Sequence, residues 1–308
     1  MPEIAFLFPG QGSQTAGMVK ALAPFPEARE VFRQAGEFLE FDIWDLCLRG
    51  PEEVLSQDDY AQLAVHVTNC AYHRVLSRMN LAPKMASGFS LGIFSALFAS
   101  GSLTFEQGLE GVRFAAENMS EEGRNHPGAM AAVIGLSEGE VKEVCQEVSR
   151  VFVASVNNPQ QIVISGVAEE VEKAISLCVR RGALLVKRLP IGWAIHTPLM
   201  EAVCRDFSDK IRDWRIGVPR FPVLSYLRGE FLGTPEELKA ELSAQFSHPN
   251  HWHSVLLKMR QEGIGTYLEV GPGKVLTQMV RWVHRSGIAV TAEEVLARGG
   301  LPSSEPEG

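Results

Sequence analysis

No stretch of about 18 consecutive apolar residues occurs anywhere in the chain, so no membrane-spanning helix is expected. Basic excess is also missing. The 29 Lys and Arg are outnumbered by 37 Asp and Glu, and a formal net charge of −8 argues against a nucleic-acid binder, which needs a basic face. Cysteine is sparse and unpatterned: Cys47, Cys70, Cys145, Cys178 and Cys204 are odd in number and form no C-x-x-C, as expected of reduced thiols rather than a disulfide framework. The opening Met1-Pro2-Glu3-Ile4-Ala5-Phe6-Leu7-Phe8 carries an acidic residue and runs straight into an apolar strand, unlike a signal or transit peptide. With the cysteine usage, this predicts a cytoplasmic location. No internal repeat is visible. What is present is ordinary globular material: 308 residues, 45% hydrophobic and 21% charged, enough for a full α/β core and one further subdomain.

The order of elements predicts how those residues are divided. A strand over Glu3–Phe8 ends in a glycine-rich turn, Pro9-Gly10-Gln11-Gly12-Ser13-Gln14, and mainly helical segments follow to about residue 80. From Gly128 to Pro190 the pattern changes. Strands are expected at Ala129–Ile134, Val151–Val156, Gln161–Ser165 and Ala183–Arg188, with helices at Ser137–Ser149 and Ala168–Arg181. That β-α-β-β-α-β order is the ferredoxin-like split βαβ unit. It reads as an insertion, because helices at 199–214, 235–246 and 251–262 and strands at 221–226 and 266–270 resume the larger pattern, closing with a helix to about Arg285. The expected architecture is an α/β-hydrolase-like large subdomain, residues 1–126 and 196–290, with a small ferredoxin-like subdomain over 127–195. The polar tail 298–308 is expected to be disordered.

Within this frame Gly88-Phe89-Ser90-Leu91-Gly92 lies between the end of an apolar strand and a helix-forming run. A G-x-S-x-G at such a junction is the pattern of a nucleophile elbow, in which glycines permit a sharp turn and expose the serine above a helix N-terminus. The same pentapeptide also occurs in ordinary turns. A serine nucleophile needs a base, and His196, in Trp193-Ala194-Ile195-His196-Thr197-Pro198-Leu199-Met200, is the best-placed histidine, at the exit of the insertion and just before a helix. Taken alone, such a histidine is more often a satisfied structural one than a catalytic one. His248, His251 and His253 cluster in sequence, but i, i+3, i+5 spacing does not place three ligands on one helix face and no carboxylate or cysteine stands beside them. No metal site is expected there.

Five motifs, in order and at matching spacing, resemble the malonyl-CoA:acyl-carrier-protein transacylase family. They are Phe8-Pro9-Gly10-Gln11-Gly12-Ser13-Gln14, Gly88-Phe89-Ser90-Leu91-Gly92, Gly128-Ala129-Met130-Ala131-Ala132, His196-Thr197-Pro198-Leu199-Met200 and Glu269-Val270-Gly271-Pro272-Gly273-Lys274-Val275-Leu276. The resemblance runs to about residue 290. It implies an active site between the two subdomains, with Ser90 as nucleophile and His196 as general base. Gln245 occupies the place whose main-chain carbonyl orients the histidine, and the N–H groups of Gln11 and Leu91 the place of the oxyanion hole. It further implies acyl-CoA as substrate, the phosphopantetheine arm of an acyl carrier protein as acceptor, and no cofactor or metal.

The departures bear on the acyl group. Malonyl enzymes of this family carry an arginine four residues before a methionine in the helix leading to Gly-Ala-Met, and counting back from Met119 puts Ala115 there. Arg113 lies about 200° around the helix and cannot replace it. A malonyl carboxylate left unpaired in the pocket would cost on the order of 3–5 kcal/mol. Phe89 and Ile93 replace the family's usual histidine and glutamate, Trp193-Ala194-Ile195 precedes the base, and Phe89, Met119, Met130 and Ile195 are expected to form an apolar lining. The expectation is transfer of an acyl group without a free carboxylate. Three alternatives use the same chain: an acyl hydrolase clearing carrier proteins, a malonyl enzyme with a relocated cation, or a non-catalytic docking module. Lys274, Arg281 and Arg285 are either a solvated face or a contact for coenzyme A phosphates or an acidic carrier protein.

Overall fold

A computed structural model describes residues 3–302. Its strands are β1 (Ile4–Phe8), β2 (Met85–Gly88), β3 (Gly128–Ile134), β4 (Val151–Asn158), β5 (Gln161–Val167), β6 (Leu185–Leu189), β7 (Val223–Leu224), β8 (Phe231–Leu232), β9 (Thr266–Glu269) and β10 (Ile288–Thr291). They form two sheets. The larger runs β10-β9-β1-β2-β7-β8 and is parallel except for the β7–β8 pair. Every residue of β1 and β2 is buried, as the continuous apolar runs of a sheet covered on both faces require.

The smaller sheet, β4-β5-β3-β6, is antiparallel, and helices Glu138–Glu147 and Ala168–Arg180 connect its strands in ferredoxin-like order. Alternation along β3 divides its side chains. Ala129, Ala131 and Val133 pack with Val141, Val144 and Val171 of the two helices. Met130 and Ala132 face the other way, with Val163 and Leu189. The insertion thus keeps one face for its own core and presents the other to the large subdomain.

Several boundaries differ from the sequence expectation. The strand expected at 221–226 shortens to β7, since Ser225 and Tyr226 enter a turn, closed by the amide of Gly229 donating to the Ser225 carbonyl at 2.8 Å. The edge strands β8 and β10 were not anticipated: two to four residues carry too little periodicity to be seen. The large sheet continues beyond residue 290, and a further helix, Ala292–Arg298, buries Ala292 and Val295. Leu301 packs against the core, so the described part of the tail, to Pro302, is anchored; the rest of the stretch expected to be disordered, 303–308, lies outside the described residues. All five cysteines are unpaired, and burial pushes the Cys47 thiol up to about 12. No helix among the described residues is long and apolar enough to cross a membrane.

Two glycines let the central strands approach. A Cβ on Gly92 would stand 2.0 Å from the carbonyl oxygen of Phe8, and one on Gly88 2.0 Å from the carbonyl carbon of Gly92. The obstacles are backbone, so no side chain can swing aside. Gly92→Ala should therefore lower stability by at least the ~1–3 kcal/mol typical of overpacking. Gly192→Ala meets nothing within 4 Å and should stay within about 0.5 kcal/mol of wild type. Thermal unfolding of both variants checks this, and equal midpoints would contradict the steric argument.

Candidate active site

Ser90 follows β2 directly, with φ of 51°, in the left-handed region a serine rarely occupies. The amide of Phe89 donates to the carbonyl of Phe8 at 2.9 Å, and that of Ile93 to the Ser90 carbonyl at 3.0 Å, so the turn is held from both sides. Helix Gly92–Ser100 starts immediately beyond and is buried along its whole length. The strand-turn-helix context that distinguishes an elbow from an ordinary Gly-Ser turn is present.

His196 comes from the exit of the insertion, also at positive φ, 63°. Its amide donates to the carbonyl of Phe246 at 2.7 Å, and Thr197 Oγ1 donates to the carbonyl of Ala194 at 2.6 Å. The ring lies between two oxygens, with Nε2 2.9 Å from Ser90 Oγ and Nδ1 3.1 Å from the carbonyl oxygen of His248. A carbonyl can only accept, so Nδ1 carries the proton and Nε2 offers its lone pair to the Ser90 hydroxyl. The expected acceptor, the Gln245 carbonyl, is joined by a second one. The hydrogen bond goes to His248, while the Gln245 carbonyl makes a smaller contribution and the Gln245 side chain folds back, Nε2 donating to the Leu242 carbonyl at 2.9 Å. The stretch after residue 244 bends out of its helix, which carries the carbonyl three residues further on toward the imidazole. Burial pulls the imidazole pKa down to about 4 despite the opposing effect of these carbonyls, so the ring is neutral near pH 7.

The Pro9–Ser13 turn closes over the elbow. Ser13 Oγ donates to the Gly10 carbonyl at 2.8 Å, and Asn69 Nδ2 donates to the Pro9 carbonyl at 2.9 Å. A Cβ on Gly10 would lie 2.5 Å from the Phe89 carbonyl oxygen and 3.6 Å from the Leu91 nitrogen, so the turn carrying Gln11 and the helix start carrying the Leu91 amide are in contact. Asn69 and His66 both reach Ser95 Oγ, at 3.1 and 3.0 Å, and this buried network ties the turn to the elbow helix. Nothing in the sequence patterns marked it.

A cavity of about 270 Å³ opens between the two sheets at Ser90 and His196. Phe89, Met130, Trp193 and Ile195 line it, with Gln11 at its edge. Ala115 and Met119 do not. Both are buried in helix Phe105–Asn125 within the large core and are not among the lining residues. No Lys, Arg, Asp or Glu is among the described lining residues. Arg113 is exposed and stacks its guanidinium over Phe38 at 4.7 Å, away from the cavity. Polar atoms are contributed by the small sheet, where Ser155 Oγ donates to Asn157 Oδ1 at 2.7 Å. Tyr226, read from the sequence only as part of a strand, stands edge-on to the imidazole with ring centroids 6.1 Å apart. Val275, Leu276 and Met279 bring the helix Val275–Val283 to the cavity, and that helix is capped by Glu269, which accepts from the amides of Leu276 and Thr277 at 3.1 and 2.8 Å. Lys274, Arg281 and Arg285 are exposed at or near its ends. Among the described residues no three His, Cys, Asp or Glu side chains stand together as a metal cluster would.

Known proteins share both the sequence and this geometry. The malonyl CoA-acyl carrier protein transacylase of Bacillus subtilis is 35% identical over 303 residues, covering 96% of each chain. The polyketide biosynthesis protein ThaF of Burkholderia thailandensis is 36% identical over 282 residues, covering 90% of this chain but only 24% of that longer protein. The solved malonyl CoA-acyl carrier protein transacylase of Coxiella burnetii superposes with a TM-score of 0.93 at 30% identity, covering 97% of both chains. Residues 5–298 match the acyl transferase domain as a whole, and the chain belongs to that family.

Proposed function

We propose that this protein moves an acyl group without a free carboxylate from a coenzyme A thioester, through an ester on Ser90, to the phosphopantetheine thiol of an acyl carrier protein. The observation that carries the reading is a Ser90 Oγ to His196 Nε2 hydrogen bond of 2.9 Å at a cavity whose described lining contains no charged side chain. Ser90 Oγ attacks the thioester carbonyl carbon while its proton passes to Nε2. The tetrahedral oxyanion is assigned to the amides of Gln11 and Leu91, and each such donor is typically worth about 3–4 kcal/mol in the transition state. The C–S bond then breaks, the imidazolium returns its proton to the departing thiolate, and the acyl-serine remains. The carrier's thiol repeats these steps in the opposite sense. A main-chain carbonyl is enough to hold the histidine tautomer, so no buried carboxylate is invoked.

Two further observations support the substrate class. A malonyl carboxylate entering this cavity would meet no cation, since Ala115 is small and buried and Arg113 is stacked elsewhere. The unpaired charge would cost on the order of 3–5 kcal/mol, which is about 10²–10³ in rate if fully expressed. The carrier protein as acceptor is supported by the relatives named for that transfer and by the exposed cations beside the cavity helix.

Exposure of the protein to a panel of acyl-CoAs, followed by intact-protein mass spectrometry, should show an adduct with acetyl and longer alkyl acyl groups. The adduct should be absent in Ser90→Ala and formed ~10²–10⁴-fold more slowly in His196→Ala. kcat/KM for malonyl-CoA should fall well below that for the best neutral acyl-CoA; malonyl ranking first would refute the pocket reading. An adduct that decays in water as fast as in the presence of a pantetheine thiol would identify a hydrolase instead.

Because the imidazole pKa is lowered to about 4, its base form persists well below neutrality. A base works only when deprotonated, so the rate of Ser90 acylation should stay level from pH 8 to about 5.5 and decline only as pH approaches the lowered pKa. An ordinary histidine would already be half protonated near pH 6.5. A kinetic midpoint at or above that value would show that the burial of His196 does not govern its titration.

A further inference from the structure

Tyr226 follows β7 by two residues and is wholly buried. Its ring meets the His196 imidazole edge-on, at an interplanar angle of 83°, and the same imidazole holds Ser90 Oγ at 2.9 Å, so the phenol and the serine share one neighbour. The phenolic oxygen interacts with the Ser90 side chain without a hydrogen bond of good geometry, and makes none to any other described residue. A buried hydroxyl without a well-formed hydrogen bond is unfavourable and calls for a reason, and one such reason is a donor held ready for an atom that changes during a reaction. Catalytic hydrogen bonds are often long in the resting state and tighten only as the reaction proceeds.

The turn carrying Tyr226 is fixed independently of the site. Ser225 Oγ reaches both carboxylate oxygens of buried Glu241, at 2.7 and 2.8 Å, and accepts from the Arg228 amide at 2.9 Å. The Tyr226 carbonyl accepts from the His251 amide at 2.8 Å. Neither partner lies in the reaction path, so the phenol is placed by a rigid support while its oxygen stays uncommitted. Burial also pushes the phenol pKa well up, so the group remains a donor.

We propose that Tyr226 is a catalytic residue whose O–H donates to Ser90 Oγ as negative charge develops there. This inference rests on the acyl-serine reading above. In the resting state Ser90 gives its single proton to His196 Nε2, which leaves lone pairs on Oγ and only a donor can use them. As the proton moves to the imidazole, and again when Oγ leaves the ester in the second half-reaction, the serine oxygen carries partial negative charge. A neutral phenol beside it stabilises that charge without giving up its proton, so no bond to hydrogen is broken at Tyr226. This donor acts on the nucleophile, whereas the Gln11 and Leu91 amides act on the carbonyl oxygen.

Tyr226→Phe removes the hydroxyl and keeps the ring against His196. With acetyl-CoA or a medium-chain acyl-CoA, the single-turnover rate of Ser90 acylation should fall tenfold or more, with KM little changed and the thermal midpoint no lower than in wild type. A rate within threefold of wild type, or a loss carried entirely by KM, overturns the proposal, because a ring that only packs would give one of these. Site-specific 3-fluorotyrosine at 226 preserves the shape and strengthens the donor, and an acylation rate indifferent to it overturns the proposal even if the phenylalanine variant does not fold. Ser90→Ala run in parallel separates the two levels: an undiminished adduct there removes the acyl-serine reading itself, whereas loss of the adduct there with full acylation in Tyr226→Phe removes only the role of the tyrosine.

Discussion

The close passage of backbone past backbone where β1 and β2 end constrains everything around the site. Phe8 and Phe89 are joined by a main-chain hydrogen bond of 2.9 Å, and the helix beginning at Gly92 must leave the sheet within contact distance of the Phe8 carbonyl. Only residues without a Cβ fit at positions 88 and 92. That tight reversal forces Ser90 to positive φ, and the strain is held by buried, hydrogen-bonded surroundings rather than by the serine itself. The same approach brings the Pro9–Ser13 turn against the Leu91 amide. One steric condition therefore sets the nucleophile and both proposed oxyanion donors together.

The second condition is the placement of the small sheet. Residue 250 stitches the two subdomains, since the Asn250 amide donates to the Ala154 carbonyl and its own carbonyl accepts from the Val156 amide, both at 2.8 Å. The stretch from 244 to 250 thus supports the imidazole through the carbonyls of Phe246 and His248 and holds β4 across the cavity. Register does the rest. With Ala129, Ala131 and Val133 committed to the core under the helices, Met130 and Ala132 must face the cavity. The segment 244–250 thus positions both His196 and the β4 side of the cavity.

Much of this was legible where the signal is local. The elbow could be read because glycines at 88 and 92 have a steric meaning independent of the rest of the fold, and the insertion because four strands and two amphipathic helices repeat clear periods. Long-range features were not. That the imidazole meets the carbonyl of residue 248 as well as that of 245 depends on how the chain leaves a helix, which side-chain pattern does not encode. Ala115 and Met119 are packed in the large core and do not line the cavity, because helical phase gives direction and not what a side chain meets. β8 and β10 are too short to show a period, and Tyr226 is an unremarkable apolar position until the fold places it beside His196.

Parts of the site that carry the proposed chemistry and parts that choose the substrate come from different kinds of interaction. The histidine tautomer, the serine's exposure and the proposed oxyanion donors are set by main-chain carbonyls, main-chain amides and glycine contacts, which tolerate changes in surrounding side chains. The acyl wall is made of side chains projecting from the small sheet, its exit segment and the helix Val275–Val283. A substitution there alters the solvation of a bound acyl group without moving Ser90 or His196. On the proposed reading, a cavity lining without charge disfavours a carboxylate-bearing acyl group by on the order of 3–5 kcal/mol while the 2.9 Å contact between Ser90 and His196 stays in place.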